Sequence, residues 1–196
     1  MGFNISGLVI NKNYKGTFDQ LQNEFGWTLK KEGEINFETA SSNWKDDGIC
    51  DVYFSEKGTL LFISMDMCTE SWGLKNANTL TFALSETSMA FNLAYCDNDV
   101  LKRSIMQVED NRIAEEGEKL EVEFKSDDIS EVIWNQIEVV LGKSFWSIEP
   151  DEKAERYLFV KEEKASNEIV SESKVSQQEP LVNESKSSTN KWWKFW

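Results

Sequence analysis

The chain contains no histidine among its 196 residues. It therefore supplies no Ser-His-Asp or Cys-His dyad, no imidazole general base, no neutral imidazole metal ligand and no histidine pH switch. Proline occurs only twice, and the three cysteines, Cys50, Cys68 and Cys96, are widely spaced and form no C-x-x-C pair. An odd, scattered set of thiols argues against a disulfide framework and a zinc site, and fits reduced cysteines in a cytoplasmic protein. No apolar run approaches the ~18 residues of a spanning helix, and no basic stretch followed by an apolar one opens the chain, so neither secretion by that route nor membrane integration is expected. Met1-Gly2-Phe3-Asn4-Ile5-Ser6 satisfies the short N-myristoylation pattern, but bulky Phe3 stands beside the acceptor glycine and a first β-strand is the preferred reading.

Positive charge is also scarce. The formal net charge is −14, and arginine occurs only at positions 103, 112 and 156. Residues 161–196 carry six lysines and six glutamates, which leaves 15 basic and 29 acidic side chains in residues 1–160. The whole excess belongs to that first part, which should repel nucleic acid, because phosphate binding needs clustered lysine and arginine. Attraction to a basic protein partner is the electrostatic reading that survives; its bland counterpart is an acidic surface that serves solubility alone.

What is present supports one sizeable core, with 40% hydrophobic and 12% aromatic residues. The period is mostly two. Leu80, Phe82 and Leu84 alternate with small or polar residues, as do Met89, Phe91, Leu93 and Tyr95, which predicts paired strands with one buried face. Ile49–Ser55 and Thr59–Met65 are apolar on both faces and are joined by Glu56-Lys57-Gly58, which predicts a hairpin nearer the sheet centre. Leu101–Val108 follows a turn at Asp97-Asn98-Asp99, and Leu120, Val122 and Phe124 alternate with charged residues, as in a strand with a charged outer face.

Two segments switch to helical spacing. Phe18, Leu21 and Phe25 lie between a capping Thr17 and a closing Gly26. Asp128 with Glu131 opens an apolar stripe from Ile129 to Leu141 that Gly142 ends. A last strand pair is expected around Phe145–Ile148 and Tyr157–Val160. The fold class is therefore α+β: a single domain over residues 1–160, mainly antiparallel sheet packed against two helices on one face. Residues 161–190 contain no glycine and no aromatic residue and read as a disordered linker, followed by an aromatic-basic tip at 191–196.

Specific chemical motifs fail one by one. Gly142-Lys143-Ser144 follows a helix instead of preceding one and lacks the first glycine of a phosphate loop. Ser42-Asn43-Trp44-Lys45 fits S-x-x-K but has no partner motifs, and Asp97-Asn98-Asp99 lacks the glycine of a calcium loop. Asp46 and Asp47 with Asp51, and the run Glu115-Glu116-Gly117-Glu118, could assemble an oxygen-only Mg²⁺ or Ca²⁺ site if folding brought them together, and a site built from Asp46, Asp47 and Asp51 or their neighbours is the basis of a rival reading as a small carboxylate-based metal enzyme. A carboxylate pair could also hydrolyse glycosides without histidine. No cofactor motif is present.

The tip Lys191-Trp192-Trp193-Lys194-Phe195-Trp196 holds three of the eight tryptophans. Trp192, Trp193, Phe195 and Trp196 suit a contact with a protein partner, docking on the chain's own domain, or weak peripheral membrane contact through indoles and lysines. The expectation is a non-enzymatic cytoplasmic binding or inhibitor protein. Its acidic surface, with Asp46, Asp47, Glu121 and Glu123 as candidate contacts, engages a basic protein; neutralising a toxin or nuclease by mimicking nucleic-acid charge is one form of this.

Overall fold

Nine strands form one antiparallel sheet. The computed structural model describes residues 2–160, so the expected linker at 161–190 and the tip with Trp192, Trp193, Phe195 and Trp196 lie outside the described residues. In chain order the strands are β1 (Asn4–Ile10), β2 (Leu29–Asn36), β3 (Ile49–Phe54), β4 (Thr59–Phe62), β5 (Asn78–Ser85), β6 (Ala90–Asp97), β7 (Val100–Val108), β8 (Asn111–Gly117) and β9 (Lys153–Phe159). Their order across the sheet is β2-β9-β3-β4-β1-β5-β6-β7-β8. Three helices join them: α1 (Phe18–Phe25), α2 (Phe37–Ser41) and α3 (Ile129–Leu141). The fold is α+β.

β1 sits at the sheet centre, and its alternation divides the core into two. Ile5 and Val9 face one layer with Phe82, Leu93, Ile133 and Ile137, under α2 and α3. Leu8 and Ile10 face the other, with Phe18 and Leu21 of α1, Leu61, Ile63 and Cys68. The expected arrangement of helices on a single face is thus corrected: α1 covers the side opposite α2 and α3. The reason lies in the central strands, which are buried on both faces, as in β4, where Thr59 to Phe62 are all buried.

Several predicted elements form. β5 and β6 pair over Asn78–Ser85, β3 and β4 form the hairpin closed at Gly58, and Asn98 and Asp99 turn β6 into β7 with both residues left-handed, at φ 50° and 67°. Gly26 and Gly142 end α1 and α3 in the left-handed conformation.

Others differ. Leu120–Lys125 is not a strand: Glu121–Phe124 form one 3-10 turn, Val122 and Glu123 are buried, and Phe124 is 76% exposed. Glu123 Oε1 accepts the amide of Leu120 at 2.9 Å and so closes the turn locally. Phe145–Ser147 is likewise a 3-10 turn, and β9 pairs instead with β2 and β3. Met89 precedes β6 at φ 50° and is exposed, so it does not extend the inward alternation of Phe91 and Leu93. Cys50, Cys68 and Cys96 are free and buried, and burial pushes each thiol up, away from reactive thiolate.

Candidate functional site

Most of the basic side chains near the candidate residues are committed to partners inside the domain. Arg103, 1% exposed, donates from Nε to Glu123 Oε1 at 2.8 Å and from Nη2 to Glu123 Oε2 at 2.6 Å; Nη2 also pairs with Glu115. Arg156 holds Asp51 with two hydrogen bonds of 2.7 and 2.8 Å, and Lys45 Nζ lies 3.2 Å from the same carboxylate. Burial pulls Lys45 down, and the charge of Asp51 only partly opposes it. Lys31, Arg112, Lys143 and Lys153 are also ion-paired, to Glu155, Glu115, Glu152 and Glu34 respectively.

Two sequence expectations are corrected by these pairs. Glu123 is no surface contact, because it is the counterion that a buried guanidinium demands. Asp51 does not join Asp46 and Asp47 as a metal ligand, because both of its oxygens are taken by cations. Among the described residues, no three His, Cys, Asp or Glu side chains are grouped to hold a metal ion. Asp46 and Asp47 lie exposed on the turn before β3, and Glu121 is exposed on the 3-10 turn after β8. Folding does not bring those three together with Glu123 into one surface site.

Sequence reasoning missed the place where acidic groups do converge. The β5–β6 turn, the β7–β8 turn and the start of α3 meet at one end of the sheet around a cleft of about 470 Å³. Glu86, Glu109, Asp110, Asp127 and Asp128 supply its carboxylates, Met89, Phe91 and Ile129 its apolar wall, and among the described residues no basic side chain lines it. Two of the carboxylates have structural duties. Glu86 accepts the amide of Phe3 at 2.9 Å, and Asp128 caps α3 by accepting the amide of Ser130 at 2.8 Å. Among the described residues, the side chains of Glu109, Asp110 and Asp127 make no hydrogen bond or ion pair. Glu109 is also left-handed, at φ 52°, and its amide donates to the carbonyl of Met89, so both turns place left-handed, non-glycine residues at the cleft. The signal in the sequence was Glu109-Asp110 and Asp127-Asp128, two acidic pairs in separate turns whose meeting only the topology specifies.

A second cavity, of about 340 Å³, holds Tyr53, Lys143 and Glu152. Tyr53 Oη donates to Glu152 at 2.6 Å, and Lys143 Nζ donates to Tyr53 at 3.0 Å and to Glu152 at 2.6 Å. Burial and then the Glu152 bond raise Tyr53. Burial alone would raise Glu152, but the hydrogen bonds from Lys143, Tyr53 and the Glu149 amide outweigh it and hold the carboxylate down. The triad binds itself and ties the segment before β9 to β3. Ser55 nearby is equally engaged, donating to the carbonyl of Leu141 at 2.8 Å.

No helix among the described residues is long and apolar enough to cross a membrane. No family model, no curated protein and no solved structure matches the chain.

Proposed function

We propose that this chain is a non-enzymatic binding or inhibitor protein that recognises a basic protein through the acidic end of its sheet. The observation that carries the reading is the cleft: three carboxylates, Glu109, Asp110 and Asp127, beside an apolar wall, with no side-chain partner and no cation in the lining among the described residues. A lysine or arginine side chain matches that combination, because its methylene stem covers apolar surface while its charged head reaches the rim. The commitment of Arg103, Arg156 and Lys45 to buried carboxylates supports the reading further, since those cations do not offset the acidic surface. An inhibitor of a basic toxin or nuclease is the form in which these carboxylates stand in for nucleic-acid phosphates.

The test is affinity capture from the native lysate with the full chain and with the triple variant E109Q/D110N/D127N, at low and high salt. The expected result is a basic protein retained by the full chain at low salt, released by salt, and retained far less by the variant. Equal retention by the two chains would overturn the assignment to this cleft. Thermal stability of the variant close to that of the parent would show that the loss reflects binding and not unfolding.

A further inference from the structure

The acidic end of the sheet also exposes a strand edge. Among the described residues, β8 is last in the sheet order and pairs only with β7. All seven of its residues, Asn111 to Gly117, are exposed, and among the described residues no strand pairs with its outer side; Arg103 Nη1 donates to the carbonyls of Glu116 and Gly117 at 3.4 and 3.1 Å, and Arg112 lies 3.9 Å from Glu123 of the following 3-10 turn. The remaining outward N–H and C=O groups of such an edge are open to a further strand, and proteins ordinarily protect them with lysine, proline, bulges or a covering segment.

The two edges of this sheet differ in that respect. β2, at the far edge, carries Lys30 and Lys31, is bulged at Glu32, and is laced to β9 by Lys31–Glu155 and Glu34–Lys153 pairs. β8 has no lysine and no proline. Its bulge falls at Ile113, after which Ala114, Glu115, Glu116 and Gly117 run in regular register with Met106, Ile105, Ser104 and Arg103. From Glu109 to Glu118 the chain has five acidic residues and one basic one, Arg112, which is itself paired with Glu115. Ile113, displaced by the bulge, is 61% exposed and offers an apolar, β-branched contact beside the edge.

We infer that β8 is a docking edge for an extended basic segment of a protein partner, which adds antiparallel to Ala114–Gly117 as a tenth strand. The inference rests on the reading of this end of the domain as a surface for a basic protein, and it names the form in which that protein arrives. Main-chain hydrogen bonds to the free edge hold the segment in place. Alternate basic side chains meet the acidic run, and because Asp110 directly precedes β8, the added strand leads toward the cleft rimmed by Glu109, Asp110 and Asp127.

The experiment uses the full chain and two synthetic octapeptides of alternating lysine and valine, one unmodified and one N-methylated at every second residue. N-methylation keeps charge and side chains but removes the main-chain donors of one edge. Binding is measured by titration calorimetry at two salt concentrations, and amide hydrogen exchange locates the contact. The expected result is salt-sensitive binding of the unmodified peptide, new protection of β8 amides, and binding at least about tenfold weaker for the methylated peptide. Equal binding of both peptides, or protection confined to the cleft or to β2, would overturn strand addition while leaving the acidic-surface reading standing. Failure of both peptides to bind in a salt-sensitive manner would overturn both readings.

Discussion

Arg103 and Glu123 show how one side chain decides the fate of a segment. A guanidinium that is 1% exposed needs a partner, because an unpaired buried charge is far more costly than a buried pair is favourable. Glu123 meets that need with both oxygens and also accepts the amide of Leu120, which is why Leu120–Lys125 turns instead of extending. Glu123→Ala should therefore destabilise the domain by about 3–5 kcal/mol in urea unfolding, whereas exposed Glu121→Ala should stay within about 0.5 kcal/mol. Comparable small effects from both would show that the Arg103 pair does not organise this region. Glu109 presents the opposite case. Its left-handed backbone costs a non-glycine residue roughly 1–2 kcal/mol, so Glu109→Gly should raise the melting temperature while it removes a carboxylate from the cleft rim. A more stable protein with weaker salt-sensitive binding is the expected outcome, and a fall in melting temperature would contradict it.

At the scale of elements, the caps separate helices that look alike in sequence. Thr17 precedes α1 as a capping threonine should, yet its side chain makes no capping bond, and its φ of −130° with ψ of 27° explains the failure. Asp128 and Asn36 do cap, accepting the amides of Ser130 and Thr39. Asp128→Ala and Asn36→Ala should each cost about 1 kcal/mol, and Thr17→Ala close to nothing, in chemical denaturation. A loss at Thr17 equal to that at Asp128 would refute the distinction. The same contrast explains which parts of the fold were legible. α3 declares itself because one periodic face is buried, the β5–β6 pair because apolar residues alternate with small or polar ones, although the structure corrects the expected single buried face by burying both faces of β5, and the Asn98-Asp99 turn because its residues tolerate positive φ. β2 and β8 were missed because edge strands with both faces wet carry no alternation: LKKEGEIN and NRIAEEG contain few apolar residues at any period. The cleft escaped for a related reason. Its carboxylates come from turns far apart in sequence, and no local spacing records that β5–β6, β7–β8 and the start of α3 meet.

For the whole molecule, the same carboxylates that make the surface acidic also set its response to pH. Three of them are held below the ordinary glutamate value of 4.5 in the folded state. For Glu115 the leading cause is its bond with Arg103, which outweighs burial. For Glu152 and Glu155 burial pushes upward, but hydrogen bonds from Lys143 and Tyr53 to the one, and from Lys31 and Tyr157 to the other, prevail. Because these groups bind a proton less readily folded than unfolded, their stabilisation is complete above about pH 4.5 and is lost as pH falls through the lower, folded values. A second effect acts earlier and with the opposite sign. With a net charge of −14 at pH 7, the first protons taken up on acidification relieve self-repulsion. Equilibrium unfolding should therefore show stability that holds or rises slightly from pH 7 to about 5 and falls steeply below about 4.5, with protons taken up on unfolding only in the lower range. The triple variant E115Q/E152Q/E155Q should be less stable than the parent at pH 7 and flatter below pH 4.5, since it has lost the groups whose titration drives the fall. A parent and variant with superimposable acid limbs would show that these three pairs do not control the transition, and that acid unfolds the chain through carboxylates elsewhere.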